Sequence, residues 1–484
     1  MSGILPPRAA ADTEGQAPRY IGLDLAKKET QLALLNAAGQ QIHSRRFAST
    51  RENFLQLASE LGPLDCVALE VTTNSFTIAR LLWPSGARVS LSDPMRTRII
   101  AESKFKNDKI DARKLAELDR VDYLPKVWLP DPDTETLRHL MSQRQSLVDR
   151  RTEQKNRVHA LLHRYLLRFE GTDLYGAAGR RFLDALLADA TLAPYDAFEL
   201  HSSLKEIDRL EGQLTEFEQL LADFIVTRPL LLAQLDHLLS VTGVSLVVGA
   251  GLLAAIGEVT RFAKPKRLAS YFGLVPSTYQ SGDSRAFHGR ITKRGRAQAR
   301  WLVIEAAEHL RKSPGPLRSF YQRLAKKRGH NIAVVAVARK LTELCRQLLT
   351  KTEDFIYALP RLTDEKRARV RFLARQWQAQ LSGQPVAKAK GGSSVVSPLY
   401  ATGLSGRSLK TRIARQAASQ AETQYEKLLA TRATAARATA AHESAALPAN
   451  SSSFNPLRPT LPDWQRVLQQ VAAQLSREPV KKGG

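Results

Sequence analysis

Two short apolar runs, each closed by a carboxylate, constrain this chain more than any other feature: Tyr20-Ile21-Gly22-Leu23-Asp24 and Cys66-Val67-Ala68-Leu69-Glu70. Apolar runs of this length, bounded by polar residues, read as buried strands. Strands that end on acids set those acids along one sheet edge, where neighbouring strand termini lie only about 5 Å apart. A third acidic feature is Lys106-Asn107-Asp108-Lys109-Ile110-Asp111-Ala112-Arg113, whose two aspartates share a face if the segment is helical. Any one of these acids alone reads equally well as a turn, a cap or a solvated helix face. All four together supply what two-metal phosphodiester chemistry needs, several carboxylates converging on Mg²⁺ or Mn²⁺.

The segments between the acids suggest the fold. Thr30 to Leu35 is strand-like, Ala38-Gly39 gives a turn signal, and Gln41 to Phe47 returns toward the first run, which predicts an antiparallel meander. Residues 51–61 read as a helix with Phe54, Leu57, Ala58 and Leu61 on one face. After Glu70, a helical stretch to Leu82 precedes a short strand at Val89 to Leu91. Three strands followed by alternating helix and strand is the order of an RNase H-like fold, an α/β domain with a mixed sheet.

From Thr136 the pattern changes to long helices. Ile207, Leu210, Leu214, Phe217, Leu221 and Phe224 alternate three and four apart, a coiled-coil seam, and residues 137–169 carry a looser version. The first helix is rich in Arg and the second in Glu and Asp, so an antiparallel hairpin with complementary faces is expected, packed within one chain or between copies. The expected organisation is α/β followed by all-α: a flexible leader over 1–18, an RNase H-like domain over 19–130, a helical hairpin over 131–235, a mainly helical basic domain over 236–384, and a low-complexity tail over 385–484. The tail is expected to be largely disordered, with helical islands at 408–445 and 462–477.

Charge narrows the partners. Lys and Arg number 72 against 47 Asp and Glu, a formal +25, so the natural partner is a polyanion, with nucleic acid the first choice. No run of about 18 apolar residues occurs and residues 1–18 do not resemble a signal peptide, so a cytoplasmic protein with no membrane partner is expected. The two cysteines, Cys66 and Cys345, are too few for a disulfide framework or a cysteine-rich zinc site.

The basic region contains Gly273-Leu274-Val275-Pro276-Ser277-Thr278-Tyr279-Gln280-Ser281-Gly282, followed by Arg285, His288, Arg290, Lys293, Arg294 and Arg296. Glycines and short polar side chains beside dense cations read as a phosphate-binding loop or as a polar turn on a basic surface. A hydroxyl there could bind phosphate or attack it, and the residues alone leave Ser277, Tyr279, Ser281 and Ser284 as candidates.

At these motifs the sequence resembles the DEDD-type transposases of bacterial insertion sequences, the "IS one-ten" family of bridge-RNA-guided recombinases. The resemblance rests on Tyr20 to Asp24 with Lys27 following, on Ala68-Leu69-Glu70 with Thr72, on Lys106 to Ala112, and on Leu239 to Val244, Tyr271 to Pro276, Tyr279 to Gly282 and Ile291 to Gly295. It departs where Val71-Thr72-Thr73 replaces the family's usual Thr-Gly after Glu-Ala. The resemblance implies a RuvC-like domain with Asp24, Glu70, Asp108 and Asp111 as catalytic metal ligands for Mg²⁺ or Mn²⁺, and a C-terminal transposase domain with Ser281 as nucleophile. It implies DNA and a guide RNA as partners, and a dimer or tetramer in which each site draws on two protomers. Arg285, Arg290, Lys293, Arg294, Lys326, Lys327 and Arg328 are the candidate nucleic-acid contacts. A Holliday-junction resolvase using metal-activated water and a non-catalytic nucleic-acid-binding protein are the competing readings.

Overall fold

A computed structural model of the chain describes residues 4–6, 17–100, 107–189, 191–280, 287–383 and 409–445. The chain divides into two compact units, Met1–Asp131 and Pro132–Gly484.

The first unit is built on a six-stranded sheet. In chain order its elements are β1 (Arg19–Leu25), β2 (Glu29–Leu35), β3 (Gln41–Ala48), α1 (Arg51–Glu60), β4 (Asp65–Glu70), α2 (Ser75–Leu82), β5 (Arg88–Ser92), α3 (Pro94–Ile100), α4 (Asp108–Arg120) and β6 (Lys126–Val127). The strand order is β3-β2-β1-β4-β5-β6. β1 to β3 form the antiparallel meander, and β4 and β5 run parallel to β1. The meander and the helix-strand alternation read from the sequence are this sheet.

Strand periodicity divides the faces. Ile21, Leu23, Leu32, Leu34, Val67, Leu69 and Leu91 point to one side and pack with Phe54 and Leu57 of α1 and Ile78, Ala79 and Leu82 of α2. The other side carries Ala68, which packs with Leu115 of α4 and Leu124. Thr50 caps α1 through its side chain, and Asn107 caps α4 by accepting from the Lys109 N–H at 3.1 Å.

Within the leader expected to be flexible, Ile4 and Leu5 are buried in the core beneath α1, and their N–H groups donate to the Glu60 carboxylate.

Among its described residues, the second unit is helical apart from one hairpin. It comprises α5 (Pro132–Arg164), α6 (Ala177–Ala188), α7 (Pro194–Val226), α8 (Pro229–Leu239), α9 (Leu246–Ile256), α10 (Pro265–Tyr271), β7 (Pro276–Tyr279), β8 (Phe287–Ile291), α11 (Ala297–Leu310), α12 (Pro316–Arg328), α13 (His330–Lys351), α14 (Pro360–Ser382) and α15 (Leu409–Ala445). α5 and α7 pack on each other within the chain, and their opposite charges meet in Arg144–Glu218 at 2.8 Å and Lys155–Glu211 at 3.4 Å. Toward one end Val158 and Leu161 pack with Leu204 and Ile207, while toward the other Leu137, Met141, Leu221 and Ile225 enter the large core of the unit. α9 is buried all round, which its uninterrupted apolar sequence requires.

Two features add detail to the mainly helical basic domain and its tail. β7 and β8 pair as an antiparallel hairpin inside the Gly-punctuated stretch. α15 occupies the island expected at 408–445 and contributes Ala418, Ala421 and Tyr425 to the unit's core. The island expected at 462–477 lies outside the described residues.

Candidate active site and nucleic-acid contacts

Strand register positions the carboxylates. Gln31 on β2 pairs with Asp24 on β1 and with Arg46 on β3, and Glu70 on β4 pairs with Ser92 on β5. Asp24 and Glu70 each lie one residue beyond the Leu23–Leu69 pair. Arg46, Gln31, Asp24, Glu70 and Ser92 therefore form one cross-strand row over five strands, and side chains in such a row leave the same face. That face is the one α4 covers. Gly22, two residues before Asp24, lies against the Ala112 backbone, and Ala68, two before Glu70, packs with Leu115. Asp108 and Asp111 are in the first turn of α4, so all four acids share one side of the sheet.

Their surroundings differ. Asp24, Glu70 and Asp111 are half-buried, whereas Asp108 is exposed. Arg46 donates through Nη2 to Asp108 Oδ2 at 3.0 Å and lies 3.4 Å from Glu29 through Nη1. Lys114 stands 3.6 Å from Asp111 Oδ1, one turn along α4. In chemistry the set suits a hard divalent cation, since it offers carboxylate oxygens and no soft donor. In spacing it is more open: among the described residues, no three His, Cys, Asp or Glu side chains are gathered closely enough to hold a metal ion. Arg46, the cation on Asp108, is a residue that the sequence reading did not single out. Its only sequence signal was its place in a strand predicted to pair beside the first acid-bearing run.

In the second unit, Ser281 and Arg285 lie outside the described residues, between β7 and β8, as does Ser284. Tyr279 is exposed at the end of β7, and Ser277 donates through Oγ to the Arg290 carbonyl at 3.3 Å. Two loops then meet backbone to backbone: Thr292 N–H donates to Val275 O at 2.9 Å, Lys293 N–H to Gly273 O at 3.2 Å, and Arg296 N–H to Tyr271 O at 3.1 Å. Gly273 has φ +69, and a Cβ there would stand 2.5 Å from Arg294 O, so this close approach requires glycine. Lys293 has φ +54, a left-handed conformation at a turn that projects it to solvent with Arg294 beside it.

Two arginines clamp these loops from within. Arg300 donates to the carbonyls of Phe272 and Lys293 at 3.1 and 3.0 Å, and Arg296 donates through Nε to the Tyr271 hydroxyl at 2.9 Å. Arg261 lies over both Phe262 and Tyr271, with its guanidinium carbon 4.2 and 4.7 Å from the ring centres. Burial would raise the Tyr271 phenol, but the charges and hydrogen bonds of Arg296 and Arg261 outweigh it and hold the pKa below its usual value. Lys326, Lys327 and Arg328 are exposed on the last turn of α12, where cations also complement the helix dipole. The turn after α8 has its positive φ at Gly243, and Ser245 caps α9 by accepting from the Val248 N–H at 3.4 Å.

Comparison with known proteins agrees with this arrangement. Residues 21–167 match the DEDD transposase domain of the IS110 type, described as "Transposase", and residues 235–322 match the "Transposase IS116/IS110/IS902 family". The chain is 26% identical over 345 residues to the "Transposase for insertion sequence element IS1111A" of Coxiella burnetii, covering 70% of this chain and 91% of the relative. It is 27% identical over 375 residues to the "Insertion element IS110 uncharacterized 43.6 kDa protein" of Streptomyces coelicolor, covering 66% and 91%. The mixed sheet thus lies in a DEDD transposase domain of the RNase H-like type, and the protein is a transposase, an enzyme acting on DNA. Its two matched segments are those of insertion-sequence transposases of the IS110/IS116 type. Among the described residues no helix is long and apolar enough to cross a membrane.

Proposed function

We propose that this transposase cuts and rejoins DNA through Ser281, assisted by a divalent cation, Mg²⁺ or Mn²⁺, held by Asp24, Glu70, Asp108 and Asp111. The observation that carries this reading is the shared face: two strand-end acids in one cross-strand row, beneath the helix turn that bears the other two. A bound divalent cation supplies charge neutralisation at the scissile phosphate and favours the deprotonated form of an attacking hydroxyl. Ser281 Oγ attacks phosphorus, the Oγ–P bond forms as the P–O bond to the departing DNA strand breaks, and the released DNA oxygen takes the proton. A free DNA hydroxyl then attacks the phosphoserine and regenerates Ser281, which makes the exchange a pair of transesterifications.

Arg290, Lys293 and Arg294 flank the Ser281 segment and would hold nucleic-acid phosphates, with Arg285 within that segment. Lys326, Lys327 and Arg328 would extend the basic surface. A guide RNA directing target choice, and a dimer or tetramer that completes each site from two protomers, belong to the same reading.

The test is adduct trapping. Wild-type protein incubated with labelled element-end DNA and Mg²⁺ should give a covalent protein–DNA band on denaturing gels, and Ser281→Ala should not. Cleavage by Ser281→Ala with no adduct in either protein would instead indicate a resolvase using water.

A further inference from the structure

We propose that Tyr279 and Phe287, at the open end of the β7–β8 hairpin, form a stacking platform for an unpaired base of the DNA. The two residues are direct partners in the hairpin register, and both are exposed, at 68% and 67%. Side chains opposite each other on antiparallel strands leave the same face, with their Cβ atoms about 5 Å apart. One exposed apolar side chain needs no explanation, whereas two large rings side by side on a ribbon of two strands mark a surface for something else to cover.

The rest of that face is low. Ser277 and Gly289, each two residues from a ring, share it, and a Cβ on Gly289 would stand 2.5 Å from Ser277 Oγ. No bulky side chain therefore rises between them, and a flat ring can lie along the strands. The ribbon is also braced at its base. Thr292 and Lys293 N–H donate to Val275 and Gly273 O at 2.9 and 3.2 Å, and Arg300 holds the carbonyls of Phe272 and Lys293. A platform held in place before binding loses little conformational freedom when a ligand arrives.

Charge selects the occupant. From Val259 to Arg300 the chain carries ten Lys and Arg against a single acid, Asp283, and Arg290, Lys293 and Arg294 are exposed. A second copy of the chain would bring the same positive charge to the same place. DNA brings phosphates for the cations and flat bases for the rings. Within a duplex the faces of each base are covered by its neighbours, so the rings suit a base that has lost a neighbour, as at a cut end or a junction. The inference rests on the protein being an enzyme that acts on DNA and is independent of which hydroxyl attacks.

Binding in EDTA separates bases from phosphates. Fluorescence anisotropy would compare the affinity of the full chain for a thymidine oligodeoxynucleotide with that for an abasic one of equal length and charge. Wild type should favour the thymidine strand about tenfold, within the range of one base–aromatic stack. Tyr279→Val and Phe287→Val remove a ring but keep strand propensity, and each should cut the preference at least about threefold. Tyr279→Phe and Phe287→Tyr should retain it. Affinity for the abasic strand should be the same in all five proteins, because no cation is touched. The platform is overturned if wild type shows no preference, or if the preference survives both valine variants. Weaker abasic binding by the valine variants, in step with the thymidine strand, would make the rings supports of the hairpin and also overturn it.

Discussion

Gly22 lies directly against the backbone of Ala112: a Cβ at position 22 would stand 1.8 Å from the Ala112 carbonyl oxygen and 2.8 Å from the Ala116 nitrogen. α4 sits as low over β1 as a helix can, and this approach sets the height of Asp108 and Asp111 above Asp24. Gly22→Ala cannot be accommodated by a side-chain rotation, because the obstacles are backbone atoms, so α4 must lift. The variant should lose about 3 kcal/mol of stability, at the upper end of ordinary overpacking costs. Urea denaturation measures the loss, and the surviving folded protein should still bind DNA but bind Mn²⁺ more weakly than wild type.

Removing one oxygen charge from the row without changing its shape tests the acids themselves. Asp24→Asn and Asp108→Asn should each lower strand cleavage at least about a hundredfold, roughly 2.7 kcal/mol of barrier, while DNA affinity in EDTA stays within about twofold. Quantified cleavage and filter binding on the same preparations check this. Cleavage by Asp24→Asn at the wild-type rate would remove Asp24 from the site.

The positive flank of the β7–β8 hairpin should behave as a phosphate-binding surface. Arg294→Ala is expected to weaken binding to all DNA sequences alike and to reduce the salt slope of log K against log salt by about 0.9, the share of a single neutralised phosphate. Fluorescence anisotropy over a salt series reads both. An unchanged slope would leave Arg294 as a solvated surface charge.

Local pattern carried much of the first unit and little of what joins distant segments. Tyr20–Asp24 and Cys66–Glu70 were legible because an apolar run closed by an acid has few other readings, and the meander followed from its turn at Ala38-Gly39. Arg46 was not, because its meaning depends on Asp108, 62 residues away. The β7–β8 hairpin hid in a stretch where Thr278 and Tyr279 show no buried alternation, so glycine and charge dominated the reading. α15 was legible as a helical island but its place in the core was not, because alanine, which makes its close packing, is also the residue of featureless tails. Ile4 and Leu5 were hidden among prolines for a related reason: two residues make no period.

Lys366 on α14 is buried and donates to the carbonyls of Leu239 and Val241 at 3.0 and 2.8 Å, holding the turn that ends α8. Burial pushes its amine down to about 7 from an ordinary 10.5. Between those values the unfolded chain holds a proton that the folded chain does not, so stability falls as pH drops from about 10.5 to about 7 and is level below that. Lys366→Met removes the linkage but strands two carbonyls. It should be less stable than wild type at pH 9.5, and the gap should shrink by about 2 kcal/mol on going to pH 7.5. Parallel urea-denaturation profiles for the two proteins would contradict this.

Glu422 fastens α15 to the rest of its unit. Its carboxylate is buried, accepts from Arg318 Nε at 2.9 Å and Nη2 at 2.6 Å, and takes the Gly315 N–H at 3.3 Å just ahead of α12. Glu426, one turn on, accepts from Ser319 Oγ at 2.8 Å, and Tyr425 and Ala421 fill the core alongside. A carboxylate at a helix start gains from both the amide and the dipole, and breaking such a pair strands the remaining charge. Glu422→Ala and Arg318→Ala should each cost about 2 kcal/mol, and the double variant should cost little more than either, because the two residues share one interaction. Limited trypsin digestion gives an independent reading: α15 carries Arg415, Lys427 and Arg432, and these bonds should be cut faster in Glu422→Ala than in wild type. Additive losses in the double variant, with no change in digestion, would mean that apolar packing alone holds the helix.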